Sequence, residues 1–91
     1  MTFHELVNQL CEISVDCTFN GERFNKKWLS NYLKQTAFRF GDNRWFMTIK
    51  LPDKEWLFTV TKDSRFGHNY YDYYIPETEE QENLLFHEFA S

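Results

Sequence analysis

The side chains able to act as nucleophiles are Cys11, Cys17, Ser14, Ser30 and Ser64, and the imidazoles that could serve them as bases are His4, His68 and His87. Nucleophilic catalysis needs a nucleophile within hydrogen-bond reach of a base that a third group orients. No short motif in the chain joins any of these residues. Cys11 falls on the apolar stripe of a helical segment and Cys17 on the apolar side of an alternating one, so both read as small core hydrophobes. A metal centre would repeat Cys or His at short spacing. Cys11 and Cys17 instead lie six residues apart across an expected change from helix to strand, with no second pair. His68 and Asp72 are four apart in a loop-to-strand stretch, where that spacing does not bring them together. Gly21, Gly41 and Gly67 are isolated and open no helix, so nothing supports a phosphate-cradling loop. The 14 acidic residues could supply carboxylate pairs, but they concentrate in helix starts and turns, where capping and solvation account for them. The expectation is a protein without catalysis, cofactor or metal.

Two clusters are not absorbed this way. The first is Tyr70-Tyr71-Asp72-Tyr73-Tyr74. In a strand, Tyr70, Asp72 and Tyr74 face one side while Tyr71 and Tyr73 face the other. A half-buried strand needs one aromatic face, so the second set must cover a helix, cover a loop or meet a partner, and for a partner tyrosine supplies large contact area at low entropic cost. The second cluster is basic with aromatics interleaved: Lys26, Lys27, Arg44, Phe46 and Lys50. Charges and stacking rings in one surface suit single-stranded nucleic acid.

Charge separates along the chain in the same way. Residues 1 to 22 hold four carboxylates and no Lys or Arg, residues 23 to 65 hold all ten basic residues against four acids, and residues 66 to 91 hold six acids and no base. The net charge of −4 conceals this segregation. Overall acidity disfavours phosphate binding. A local acidic face beside the tyrosines, including Glu79, Glu80 and Glu82, would steer a basic protein partner.

The elements that position these clusters follow from periodicity. Thr2-Phe3-His4-Glu5 is a capping-box pattern, and Phe3, Leu6, Val7, Leu10 and Cys11 form one helical stripe. Ile13, Val15, Cys17 and Phe19 then alternate with polar residues, which predicts a short strand ending at an Asn20-Gly21 turn. Asn25 caps a second helix carrying Trp28, Leu29, Tyr32 and Leu33, with Lys26, Lys27 and Lys34 on its wet side, ending near Gln35. Phe38-Arg39-Phe40 opens a further strand. Trp45, Met47, Ile49 and Leu51, and after the Pro52-Asp53-Lys54 turn Trp56, Phe58 and Val60, alternate with a Thr-rich face and predict an antiparallel hairpin. Asp63 to Asn69 reads as a loop and Tyr70 to Ile75 as another strand. Thr78-Glu79-Glu80-Gln81 opens a terminal helix in which Leu84, Leu85 and Phe89 dock.

The expected fold is therefore a single α+β domain spanning residues 1–91. It has an N-terminal helix, a short strand, a second helix, an antiparallel meander of three to four strands and a C-terminal helix, with the helices on one sheet face. No apolar run exceeds four residues, far below a bilayer span. The start of the chain lacks the charged and apolar regions of an export signal, and two cysteines suit free thiols in a reducing cytoplasm. By size and composition, the expected role is that of a small cytoplasmic binding protein, of the inhibitor, toxin-immunity or phage anti-defence kind. It would cover a functional surface of a larger, nucleic-acid-handling protein through Tyr70, Tyr71, Asp72, Tyr73, Tyr74, Glu79, Glu80 and Glu82. The alternative is a nucleic-acid-binding module using Lys26, Lys27, Arg44, Phe46 and Lys50.

Overall fold

The computed structural model describes residues 1–35 and 43–90. Helix α1 (Phe3–Ile13) leads through a 3₁₀ turn (Val15–Cys17) into β1 (Thr18–Phe19) and β2 (Glu22–Arg23). Helix α2 (Lys26–Gln35), strands β3 (Arg44–Lys50), β4 (Glu55–Arg65) and β5 (His68–Tyr74), and helix α3 (Glu79–Ala90) follow. One antiparallel sheet holds all strands in the order β2-β1-β3-β4-β5. The fold is α+β as its periodicities predict, with five strands, because two-residue β1 and β2 extend the meander on one side. The predicted strand at Phe38-Arg39-Phe40 lies outside the described residues.

Alternation along β3 and β4 builds the main core. Trp45, Met47 and Ile49 pair with Val60, Phe58 and Trp56 across the hairpin, and all six are buried on one face against Leu6, Val7 and Leu10 of α1 and Leu29 of α2. Phe19 enters the same core through its pairing with Ile49. Its ring meets Phe24 edge-on at 4.2 Å and lies 6.1 Å from Phe58. Asn20 fixes this junction, since its amide donates to the Thr48 carbonyl at 2.8 Å and its Oδ1 accepts from the Thr48 amide at 2.8 Å.

Helix α3 corrects the expectation that every helix covers one face. Of the residues of opposite parity, Arg44, Phe46 and Leu57 meet α3. Phe46 contacts Phe89 edge-on at 5.3 Å, Arg44 pairs with Glu88 at 3.0 Å, and Leu57 and Thr59 are buried. The sheet is thus a middle layer, which explains why β4 is buried on both faces over Trp56–Val60. Glu82 anchors this docking. Pro76 follows the end of β5, so the Leu57 amide has no strand opposite it and donates to Glu82 Oε2 at 2.8 Å instead. The other carboxylate oxygen takes Lys54 Nζ at 2.6 Å.

Two further segments depart from the periodicity reading. Of the Ile13-to-Phe19 alternation only Thr18 and Phe19 are strand. Helix α1 runs to Ile13, and Asp16 and Cys17 then adopt left-handed φ of 54° and 49°, turning the chain within a single 3₁₀ turn. Asp63 to Asn69 is not a loop. The β4 and β5 strands continue through it to a two-residue turn at Phe66-Gly67, where φ is 53° and 78°. Positive φ at both central positions marks the primed turn whose twist matches antiparallel strands.

The capping box of α1 forms as predicted. Thr2 Oγ1 accepts the Glu5 amide and Glu5 Oε1 accepts the Thr2 amide, each at 3.2 Å. The Thr2 backbone amide foremost, and after it the Thr2 hydroxyl, hold the Glu5 carboxyl below its ordinary value of 4.5. A depressed folded pKa stabilises above the unfolded value, and that contribution is lost as pH falls through the folded one. Thr2→Ala is expected to cost about 1 kcal/mol in urea unfolding at neutral pH. Glu5→Gln is expected to flatten the acid limb of the stability profile below pH 4.5; an unchanged acid limb would show that the box contributes nothing to pH dependence.

Candidate functional site

The Tyr70–Tyr74 cluster divides between the two sheet faces. Tyr71 and Tyr73 turn toward α1. Tyr71 packs edge-on against Phe3 at 5.5 Å, and the Tyr73 hydroxyl donates to Gln9 Oε1 at 3.2 Å. Burial raises the Tyr71 phenol pKa above its ordinary value. Tyr70, Asp72 and Tyr74 point from the opposite face, where Tyr70 is 45% and Tyr74 46% exposed. Tyr71 and Tyr73 thus tie the strand to the body while Tyr70, Asp72 and Tyr74 form an outward stripe.

β5 is an edge strand, and its outward backbone groups are partly closed. The N-terminal amine of Met1 donates to the Tyr71 carbonyl at 2.9 Å, and the Tyr71 amide donates to the Met1 carbonyl at 2.7 Å. The Tyr73 amide is satisfied by Asp72 Oδ1 at 2.8 Å. Such blocking opposes strand addition. Recognition on this edge accordingly falls to side chains.

The arm formed by β4 and β5 beyond Thr61 carries a feature the sequence reading missed. Phe66 stands at its tip with 99% of its surface exposed. The signal was Gly67, whose position midway between two β-prone runs marks a two-residue turn. An open groove of about 730 Å³ borders the arm, with Met1, Arg65, Phe66, Tyr70 and Asp72 among its lining residues. Arg65 Nε is paired with Asp63 at 2.7 Å.

The acidic residues of α3 are not equivalent. Glu82 is 5% exposed and held by Lys54 and the Leu57 amide, so it is a structural anchor. Glu79 lies 3.8 Å from Lys54 with its side chain 79% exposed. Glu80 is exposed.

The basic residues do not share one surface. Lys26 and Lys27 lie on α2 at the main-core side, and Lys26 Nζ contacts His4 Nδ1 at 2.6 Å. Arg44 and Phe46 are engaged by α3 on the other face, while Lys50 is exposed at the far end of β3. The Thr-rich face of the hairpin is covered at Leu57, whose amide donates to Glu82 of α3.

Of the residues weighed for catalysis, Cys11, Ser14 and Cys17 come together, with Ser14 Oγ at 3.5 Å and Cys17 Sγ at 3.8 Å donating to the Cys11 carbonyl. Burial, reinforced by neighbouring Cys17, pushes the Cys11 thiol up to about 11, so it is protonated at neutral pH. His68 and Asp72 share a strand face but lie four residues apart, roughly 13 Å along β5. Among the described residues no three His, Cys, Asp or Glu side chains converge on a cation-sized position, and no helix is long and apolar enough to cross a membrane. No known protein family, curated protein or solved structure matches the chain.

Proposed function

We propose that this is a small non-catalytic binding protein that covers a functional surface of a larger protein, in the manner of an inhibitor, immunity or phage anti-defence factor. The observation that carries the reading is the outward stripe of Tyr70, Asp72 and Tyr74 on an edge strand whose other face is tied to α1. Half-exposed tyrosines on a rigid strand are preorganised contacts that lose little entropy on docking. Exposed Glu79 and Glu80, in a C-terminal segment devoid of Lys and Arg, favour a target with a basic surface. A nucleic-acid-handling protein presents such a surface. Two free thiols suit a reducing, cytoplasmic setting.

The test is capture from nuclease-treated lysate of the source cells on immobilised protein. One protein is expected to be retained by the wild type and released by Tyr70→Ala/Tyr74→Ala, with affinity reduced at least about 30-fold. The double variant should keep the wild-type melting profile, because both rings lie outside the core. Equal retention by the double variant overturns the reading. Retention that disappears on nuclease treatment transfers it to nucleic acid.

A further inference from the structure

We propose that the tip of the β4–β5 arm is a self-association surface on which two copies of this chain cross their arms antiparallel, each seating its Phe66 ring in the groove beside the other's arm. Two independent features converge on Phe66. Its side chain is 99% exposed, which forfeits the gain a large apolar group makes on burial. Its φ of 53° lies in the left-handed region, where Asn, Asp and Gly are at ease and aromatic residues are rare. Neither core packing nor turn chemistry accounts for phenylalanine here. A surface that receives the ring does.

The charge order on the arm identifies that surface as a second copy. An isologous interface requires one patch to carry both complementary halves. On the outward face, Arg65 and His68 stand at the tip, Asp63 and Tyr70 in the middle, and Asp72 toward the root, as the pairings Arg65–His68, Asp63–Tyr70 and Thr61–Asp72 dictate. Laying two such arms antiparallel sets the Arg65 of each against the Asp72 of the other and brings the Tyr70 rings together near the two-fold axis. Arg65 commits its Nε to Asp63, which leaves its terminal amino groups for the second carboxylate. The groove of about 730 Å³ has room for a phenyl ring, and the residues around it include Tyr70, Met1 and Asp72. Its lining mixes the carboxylates of Asp63 and Asp72 with three cations, Lys62, Arg65 and the Met1 amine, and an arm that carries both signs complements such a mixed set. The inference stands without any target. Because Tyr70 belongs to both surfaces, a target and a second copy would exclude each other.

Sedimentation equilibrium of the purified chain from about 1 μM to 1 mM at low ionic strength tests the proposal, salt being kept low because it screens exposed pairs. A monomer–dimer equilibrium is expected, weakened at least about 30-fold by Phe66→Ala. Arg65→Asp and Asp72→Arg should each weaken it, because each sets like charges together. Dimerisation should return when both substitutions sit in one chain, and when the two single variants are mixed. Thermal melts confirm that every variant folds. A chain monomeric to 1 mM, a dimer indifferent to Phe66→Ala, or a charge exchange that fails to restore association overturns the proposal.

Discussion

Glu82→Ala is expected to cost about 2–4 kcal/mol in urea unfolding, against a total of about 5–14 kcal/mol for a domain of this length. Glu82 is 5% exposed, and its two oxygens serve two partners, the Leu57 amide and Lys54, the latter reached otherwise only by exposed Glu79 at 3.8 Å among the described residues. Without it, the Leu57 amide is a buried donor with no acceptor, which alone costs about 1–3 kcal/mol. Glu82→Gln retains one carbonyl oxygen for that amide and is expected to lose roughly half as much. Lys54→Met should also destabilise, because it leaves a buried carboxylate without its counter-charge. The Glu82 carboxylate holds the Lys54 pKa above its ordinary 10.5, so this contribution is complete below that value and fades as pH rises past the folded one. A Glu82→Ala protein as stable as the wild type would mean that α3 docks without its anchor. Glu80→Ala is the contrast: it should leave stability alone and slow association with a basic target.

Glu82 also shows where reading the sequence stops. A glutamate in the first turn of a helix is explained locally by the dipole, and Glu79 and Glu80 conform to that account. The burial of Glu82 depends on a strand ending at Tyr74, 17 residues from the amide left unpaired, and only the sheet register reveals it. The same limit governs α3. Alternation in β3 and β4 identified the face of Trp45, Met47 and Ile49, but a Thr-rich face looks wet until a helix is seen to cover it. Where short-range chemistry decides, the residues were legible. Thr2 and Glu5 form their box, Asn25 Oδ1 caps α2 by accepting the Trp28 amide at 2.9 Å, and Asn20-Gly21 turns with positive φ at both residues. The Ile13-to-Phe19 stretch misled because its apolar alternation outweighed Asp16, which tolerates a left-handed φ, while Cys17 beside it gives no such signal. The Tyr cluster was legible as two faces, but not which face was wet, since that follows from the placement of α1.

Phe19→Ala and Phe66→Ala remove the same atoms and are expected to have opposite consequences. Phe19 is fully buried between the Phe24 and Phe58 rings, and it joins the β1–β2 hairpin to the core sheet. Deleting its ring leaves a cavity that the Ile49 pairing and the Asn20–Thr48 bonds prevent from collapsing, so the loss should reach about 3–5 kcal/mol. The urea midpoint should fall by half or so, and the near-ultraviolet dichroism from the stacked Trp28 and Tyr32 rings should weaken first, because α2 follows directly from this hairpin. A loss below about 1 kcal/mol would mean the site collapses freely. Phe66→Ala removes a ring that touches solvent, so stability should change by no more than about 0.5 kcal/mol. Phe66→Asn should raise it, since asparagine tolerates the left-handed φ that the turn imposes. A fold that would be more stable with another residue at its most exposed aromatic position keeps that residue for contact, not for folding. Measured side by side, the two alanine variants separate a ring that builds this domain from a ring that it presents.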